Sequence, residues 1–218
     1  MALFPESRRI LEPGERAAEI LFGVIMTMTF TGTLSIADAG RDDVRAMFIG
    51  ALGCNIAWGV IDGIIYLMAC RADRAAELRM FRSVHGAVDP ASGRAALAAA
   101  LPPLVASLLR QDEVEMLRAR LAALSEPPGH ARLARRDWLG ALGVGLLVVF
   151  TTFPLALPFL FLDRVGPAMR LSNAIALAML FLAGVVYARS IDRPALRVGL
   201  GMTALGVVLA LLTIALGG

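Results

Sequence analysis

The sequence predicts an all-α, polytopic membrane protein with five transmembrane helices and a cytoplasmic helical insert between the second and third. Its 218 residues are 58% hydrophobic with a mean hydropathy of +0.72, whereas soluble domains of this size rarely exceed about half apolar residues. Crossing a hydrocarbon core of about 30 Å needs roughly 20 apolar residues. Five segments of that kind are present, at approximately 17–37, 46–70, 138–162, 168–188 and 197–217.

The first segment is the least hydrophobic, because Thr27, Thr29, Thr31 and Thr33 interrupt it. Threonine hydroxyls can hydrogen-bond to the carbonyls of their own helix, so the segment can still span a membrane. The alternation of threonine with apolar residues also fits a strand, but an isolated strand cannot cross a bilayer. We therefore predict a helix.

The second segment carries one charged side chain, Asp62, within "WGVIDGIIYLM". A carboxylate near the centre of a membrane helix costs about 2.5–3.5 kcal/mol on insertion scales, so it normally faces the bundle interior with a partner. The spacing of Asn55, Gly59 and Tyr66 places them on the same helix face as Asp62. Gly59 and Gly63 form a G-x-x-x-G pattern, which lets a second helix approach closely beside the aspartate.

Two interpretations of Asp62 stand side by side. In the first, Asp62 and Asn55 form a cation or proton site, assisted by Met26 and Thr27 of the first segment. In the second, Asp62 makes a structural hydrogen bond to Tyr66 or a threonine, and burial keeps its carboxyl protonated. Methionine in an apolar helix more often packs than ligates, so Met26 is the weaker candidate.

The third segment contains "FPLALP", with Pro154 and Pro158 four residues apart on one face. Each proline removes a backbone hydrogen bond and so leaves a carbonyl free, that of Phe150 or Pro154. Such breaks can line an ion path, and they can equally be simple kinks. The fourth and fifth segments carry no comparable feature and are predicted as plain spans.

The insert, residues 71–136, contains two predicted amphipathic helices, "ADRAAELRMFRSV" and "DEVEMLRARLAAL". The apolar stretch between them is broken by Pro102 and Pro103, which predicts two short helices rather than a further span. Three clustered acids are a weak candidate for a metal site. Arginines flank them, so a salt-bridged, solvated helix face is the favoured interpretation. These acids are Asp112, Glu113 and Glu115.

The distribution of arginine predicts the orientation. Seventeen arginines lie in the N-terminal segment, the insert and the connection between the last two spans, against four in the alternate connections. The positive-inside rule then places the N-terminus in the cytoplasm and the C-terminus outside. The predicted organisation is a cytoplasmic N-terminal segment, two spans, the cytoplasmic insert and three spans, at 1–16, 17–70, 71–136 and 137–218.

All 21 basic residues are arginine, which is typical of a GC-rich bacterial genome and predicts a bacterial inner (cytoplasmic) membrane. The pI near 9.5 does not predict nucleic-acid binding, because the arginines lie between apolar segments where membrane orientation explains them. No Ser/His/Asp or Cys/His arrangement is present. We therefore expect neither an enzyme nor a bound cofactor, and the lipid bilayer is the first partner.

Three stretches resemble the vacuolar iron transporter family. "GALGCNIAWGVIDGIIYLMACRAD" is similar to that family's second span, and "LGALGVGLLVVFTTFPLALPFLF" to its third, which has late prolines. "NAIALAMLFLAGVVYARSIDRPALRVGLGMTALGVVLALLTIALG" resembles its last two spans. The resemblance covers about residues 17–70 and 138–217, and the order of two spans, an insert and three spans is shared.

The resemblance implies a homodimer that exchanges Fe²⁺ or Mn²⁺ for protons. By position, Asn55 falls where the family has Asn or Glu, and Gly63 falls where it has a metal-contacting Met, next to Asp62. The family's first-span aspartate falls near Met26–Thr27 and is missing, as are the repeated glutamates of its insert.

The predicted function is therefore proton-coupled transport of a divalent metal cation, with the metal ion as cargo. The alternative is a non-transporting scaffold or accessory subunit that keeps the fold and serves an unidentified membrane protein partner. Asp62 and the prolines of the third span favour transport. The missing first-span aspartate and glutamates favour the scaffold.

Overall fold

The computed structural model describes residues 13–32, 40–124 and 130–215. Within these ranges the ordered elements are nine α-helices and no strands, so the predicted all-α class is confirmed. The helices are α1 (Pro13–Gly32), α2 (Arg41–His85), α3 (Pro90–Ala100), α4 (Pro103–Leu108), α5 (Gln111–Ala122), α6 (Arg135–Phe150), α7 (Thr152–Phe161), α8 (Val165–Ser190) and α9 (Ala195–Ala215).

Four stretches are long and apolar enough to cross a membrane: Arg41–His85, Arg135–Phe161, Val165–Ser190 and Ala195–Leu212. They contain the predicted second and fourth spans and most of the third and fifth, so the membrane character of the protein is supported. The first predicted span corresponds to α1, which does not reach the same hydropathy because its first turns carry Glu15, Arg16 and Glu19. Residues 33–37 of that span lie outside the described residues. The count of five spans stays a prediction.

Helix α1 is nevertheless enclosed by other helices, since it packs against α6, α7, α8 and α9. Val24 and Met28 of α1 form a buried core with Leu155, Ala176 and Leu180. Polar positions Thr27 and Thr31 are also buried, and each hydroxyl donates to a carbonyl of its own helix. A helix shielded by apolar neighbours can be less hydrophobic than one that faces lipid.

The chain divides into two compact units. One comprises the described residues up to Tyr66 and those from Arg135 onwards, and the other is Leu67–Ala134. Helix α2 contributes to both, because it continues for 45 residues without interruption. The sequence predicted a span ending near residue 70 and a separate amphipathic helix after it. The two are one helix because residues 70–85 contain no glycine or proline and are rich in strong helix formers.

The second unit has its own small core, formed by Val84, Leu97 and Val114. Helix α3 begins with Asp89 as its N-cap, whose carboxylate accepts a hydrogen bond from the Ser92 backbone N–H at 2.8 Å. Two short helices, α3 and α4, flank the Pro102–Pro103 break, as predicted. The helical parts of the insert are thus α3, α4, α5 and the end of α2.

The predicted third span is two helices rather than one, with a break at Thr151 between α6 and α7. Pro154 lies in the first turn of α7, where a missing N–H costs little. Pro158 lies inside α7 and the helix continues through it. The break therefore coincides with Pro154, whose absent N–H would otherwise have bonded to the carbonyl of Phe150.

Candidate functional site

Helices α1 and α2 run antiparallel within the first unit, called the membrane unit below because it contains the apolar helices. We call the line of contact between these two helices the seam. The order of contacts shows this, because residue numbers rise along α2 while they fall along α1. From the start of α2 onward, the contacting pairs are Gly50 with Phe30, Asn55 with Thr27, Trp58 with Phe22, and Asp62 with Glu19. The seam carries two polar sites, one at Asn55 and one at Asp62.

The side chains of Asp62 and Glu19 are neighbours, close enough for their carboxyl groups to interact. Both residues are partly buried, and Asp62 Oδ2 is fully enclosed with no N–H or hydroxyl donor from the described residues. A hydrogen bond between two such carboxyl groups requires a proton on one of them, because two carboxylates repel each other. The seam thus holds a carboxyl pair contributed by two different helices.

Asp62 lies well inside the apolar part of α2, whereas Glu19 lies in the second turn of α1. Glu19 is six residues after Pro13, the start of α1, which is about 9 Å along the axis. Asp62 is nine residues before Arg71, the first basic residue after the apolar part of α2, or about 13–14 Å. Both distances are counted from the same end of the seam, because the helices are antiparallel. The pair therefore lies about two turns inside this end of the seam.

Helix α6 crosses α2 in contact with its backbone, directly beside Asp62. A Cβ atom at Gly59 would lie 2.8 Å from the carbonyl oxygen of Gly145, and one at Gly63 would lie 3.1 Å from that of Ala141. Tyr66, one turn further along the same face, lays its ring against Gly140. The G-x-x-x-G pattern and Tyr66 both face α6, so small residues on both helices allow this approach.

Asn55 is completely buried and joins four helices. Its Nδ2 lies 2.6 Å from the Thr152 hydroxyl oxygen and 3.2 Å from that of Thr27. The carbonyl oxygens of Gly23 and Val148 also accept from it, each at 3.4 Å. The opposite oxygen, Oδ1, is enclosed and receives no hydrogen bond from the described residues.

The orientation of this amide decides what Asn55 can do. An amide nitrogen is a donor and cannot ligate a cation, so only Oδ1 could contact an ion. Asn55 and Asp62 are also seven residues apart on α2, which is about 10 Å. They lie on one face as predicted, but they form two separate sites rather than a shared ligand set. In this arrangement Asn55 holds helices together, and Asp62 is paired with Glu19.

Of the remaining predicted residues of the ion path, Thr27 contacts Asn55 directly. The Thr27 hydroxyl donates to the Gly23 carbonyl at 2.8 Å, and Met26 beside it is partly buried. Pro154 and Pro158 lie on α7, which begins with the Thr152 that accepts from Asn55. Thr27 therefore belongs to the Asn55 site rather than to the carboxyl pair.

In the second unit, each acid of the predicted cluster has a partner. Asp112 lies 3.2 Å from the Arg110 guanidinium, and Glu113 accepts from the Arg110 backbone N–H at the start of α5. Glu115 forms salt bridges with Arg118 at 2.7 Å and Arg94 at 3.1 Å. Hydrogen bonds from Arg118 first, and then from Arg94, lower the pKa of Glu115 to about 2. Among the described residues, no group of three His, Cys, Asp or Glu side chains could hold a metal ion.

Sequence reasoning did not select Glu19, although a signal was present. Glu19 is the only charged residue within the predicted first span, 17–37. A carboxyl in an apolar segment is costly, and this holds for Glu19 as it does for Asp62. Because Glu19 follows Glu15 and Arg16 closely, it was grouped with the charged segment that precedes the span.

Comparison with known proteins adds no family assignment. No protein-family model matches the sequence, and no curated protein matches it with significant similarity. The resemblance to vacuolar iron transporters therefore stays a prediction, and the function must be argued from the carboxyl pair.

Proposed function

We propose that this protein is a proton-coupled cation transporter in which the Glu19–Asp62 pair exchanges a proton for the transported ion. The observation that carries the proposal is the proximity of two partly buried carboxyls that come from different helices. A charged carboxylate at a membrane helix centre, where Asp62 lies, costs about 2.5–3.5 kcal/mol on insertion scales. Two carboxyls in contact away from water lower the stability of the fold, so stability alone does not explain why both are present.

The chemistry of the pair fits exchange. With one shared proton, the two carboxyls are hydrogen-bonded and carry at most one negative charge. Without that proton they repel each other and present up to four oxygen ligands to a cation. A divalent cation would neutralise both charges, so its binding and the release of the proton are linked. Oxygen ligands suit Mn²⁺ and Fe²⁺-type ions, the cargo that the family resemblance implies.

The same proposal includes five spans and the predicted orientation. Its support for a fifth span is the enclosure of α1, whose buried face contacts four helices that are apolar overall. Its support for an N-terminus in the cytoplasm is the distribution of arginines. A bacterial inner membrane and a homodimer belong to the proposal as predictions from composition and resemblance.

The test uses purified protein in liposomes, with Mn²⁺, Fe²⁺, Zn²⁺ and Co²⁺ offered separately and internal pH followed by a dye. Asp62→Asn and Glu19→Gln keep shape and hydrogen-bonding capacity but remove the charge. Each variant should fold as wild type does and lose both ion movement and the accompanying proton flux. Asp73→Asn, an exposed carboxyl on the same helix α2, is the matched control and should behave as wild type. Equal ion movement by wild type and both seam variants would refute the proposal.

A non-transporting scaffold is the second candidate, and the Asn55 site favours it. Asn55 directs its donor nitrogen at carbonyls and hydroxyls of its neighbours, as a purely structural contact does. If wild-type protein in liposomes moves none of the four ions and no protons, the scaffold becomes the better conclusion. The carboxyl pair would then be a structural hydrogen bond.

A further inference from the structure

A cleft opens in the membrane unit between the first turns of α2 and the last turns of α7. Its volume is about 460 Å³, within the roughly 300–1,000 Å³ typical of small-molecule sites. Phe48 of α2 and Phe159 of α7 form part of its wall, with ring centroids 5.1 Å apart in an edge-to-face contact. Ile49 and Leu160, both well exposed, extend that apolar wall.

The mouth of the cleft is charged. Arg41 Nη2 lies 2.6 Å from Asp163 Oδ1, so these two charges neutralise each other at the rim. Arg45, one turn further along α2, also lines the cleft, and the described residues provide it with no ion-pair partner within salt-bridge distance. The described part of the rim therefore carries a net positive charge above an apolar wall.

We infer that this cleft binds one anionic phospholipid, with the phosphate at Arg45 and an acyl chain against the apolar wall. Charge complementarity selects an anionic headgroup, and basic pockets between membrane helices bind such headgroups. The long arginine side chain can lie along apolar surface while its guanidinium reaches the phosphate.

An apolar track beyond the cleft indicates a lipid rather than a free phosphate. A volume of about 460 Å³ holds a headgroup and part of a chain, not a whole two-chain lipid. Ile49, Ile56 and Val60 are exposed at seven- and four-residue spacing, so they follow one face of α2 away from the cleft. An acyl chain leaving the cleft would continue along this face. The inference does not depend on the carboxyl pair or on transport.

The experiment is native mass spectrometry of the full chain in mild detergent, with phosphatidylglycerol or phosphatidylcholine of identical acyl chains added in steps. Wild-type protein should retain one phosphatidylglycerol in preference to phosphatidylcholine. Arg45→Gln should weaken phosphatidylglycerol retention about fivefold, the effect of one basic contact at a lipid surface. Arg170→Gln is the matched control, because Arg170 is exposed near the start of α8 and does not line the cleft.

Two further arms separate the possible outcomes. Ala156→Trp places a large side chain in the cleft and should abolish retention, whereas unchanged retention would place the lipid elsewhere. An excess of glycerol 3-phosphate should not displace the lipid if the chain contributes to binding. Displacement would show a phosphate site and overturn the inference. No preference between the two lipids in wild type, or equal behaviour of Arg45→Gln and Arg170→Gln, would also overturn it.

Discussion

Adding one methyl group at Gly23 tests whether α1 is packed inside the bundle. Gly23 is buried on α1, and a Cβ atom there would clash with the Thr151 hydroxyl and lie 2.7 Å from the carbonyl oxygen of Val148. The hydroxyl could rotate away only by giving up its own 2.6 Å hydrogen bond to that carbonyl. The backbone carbonyl cannot rotate, so α1 and α6 would have to separate by about 0.5 Å to restore van der Waals contact.

The expected size of the effect follows from two opposing terms. Overpacking of this kind costs about 1–3 kcal/mol. Replacing glycine by alanine inside a helix returns about 0.5–1 kcal/mol through helix propensity. Taking the middle of each range, Gly23→Ala should lower the free energy of unfolding by about 1 kcal/mol, or roughly five- to tenfold in the unfolding equilibrium.

The control is Gly53→Ala on α2, where an added Cβ atom has no heavy atom within 4 Å. It should raise the free energy of unfolding by up to about 1 kcal/mol, because only the propensity term remains. Both variants can be compared with wild type by equilibrium unfolding in mixed micelles, followed by the fluorescence of Trp58 and Trp138. If Gly23→Ala gains stability as Gly53→Ala does, α1 does not pack on α6 at this point. The support for a fifth span would then be lost.

Two further predictions concern the second unit and the orientation. Because the folded-state pKa of Glu115 is about 2, below its ordinary 4.5, its ion pairs stabilise the unit above about pH 4.5 and this contribution is lost as the pH falls towards 2. Hydrogen exchange of α5 should therefore be slower in wild type than in Glu115→Gln at pH 6, and the difference should shrink below pH 4.5; a constant difference would contradict the assignment. For orientation, a reporter active only in the cytoplasm should work when fused after Leu124 and fail when fused to the C-terminus. Activity at both sites would mean that the spans are miscounted.

The membrane helices could be predicted from sequence because long apolar runs are a local property of the chain. The residues at which these helices end or break were harder to predict. Helix α2 continues past Arg71 because nothing in the following residues ends a helix, and only the change in hydropathy suggested a boundary. Pro154 and Pro158 looked equivalent in sequence, yet the break forms only at Pro154. The first turn of a new helix tolerates a proline, and a helix held by neighbours can continue through the second.

The candidate site was harder to predict because it depends on which faces of α1 and α2 meet. The spacing within α2 correctly placed Asn55 and Asp62 on one face, since that is a property of a single helix. The identity of the residue opposite each of them depends on the register between two helices, which no local pattern specifies. The sequence therefore offered Asn55, or Tyr66 or a threonine, as the partner of Asp62, while its neighbour in the structure is Glu19.

The two polar sites of the seam have different physical roles that depend on each other. Asn55 ties α1, α2 and the α6–α7 break together through hydrogen bonds at one level of the bundle. About one to two turns further along α2, Gly59 and Gly63 contact α6 and so fix the position of α2 beside Asp62. With α2 held at both levels, the distance between Glu19 and Asp62 is set by rigid helices rather than by the side chains themselves. The backbone thus brings the two carboxyls together, and in the proposed function a proton or a cation bound between them would relieve their repulsion.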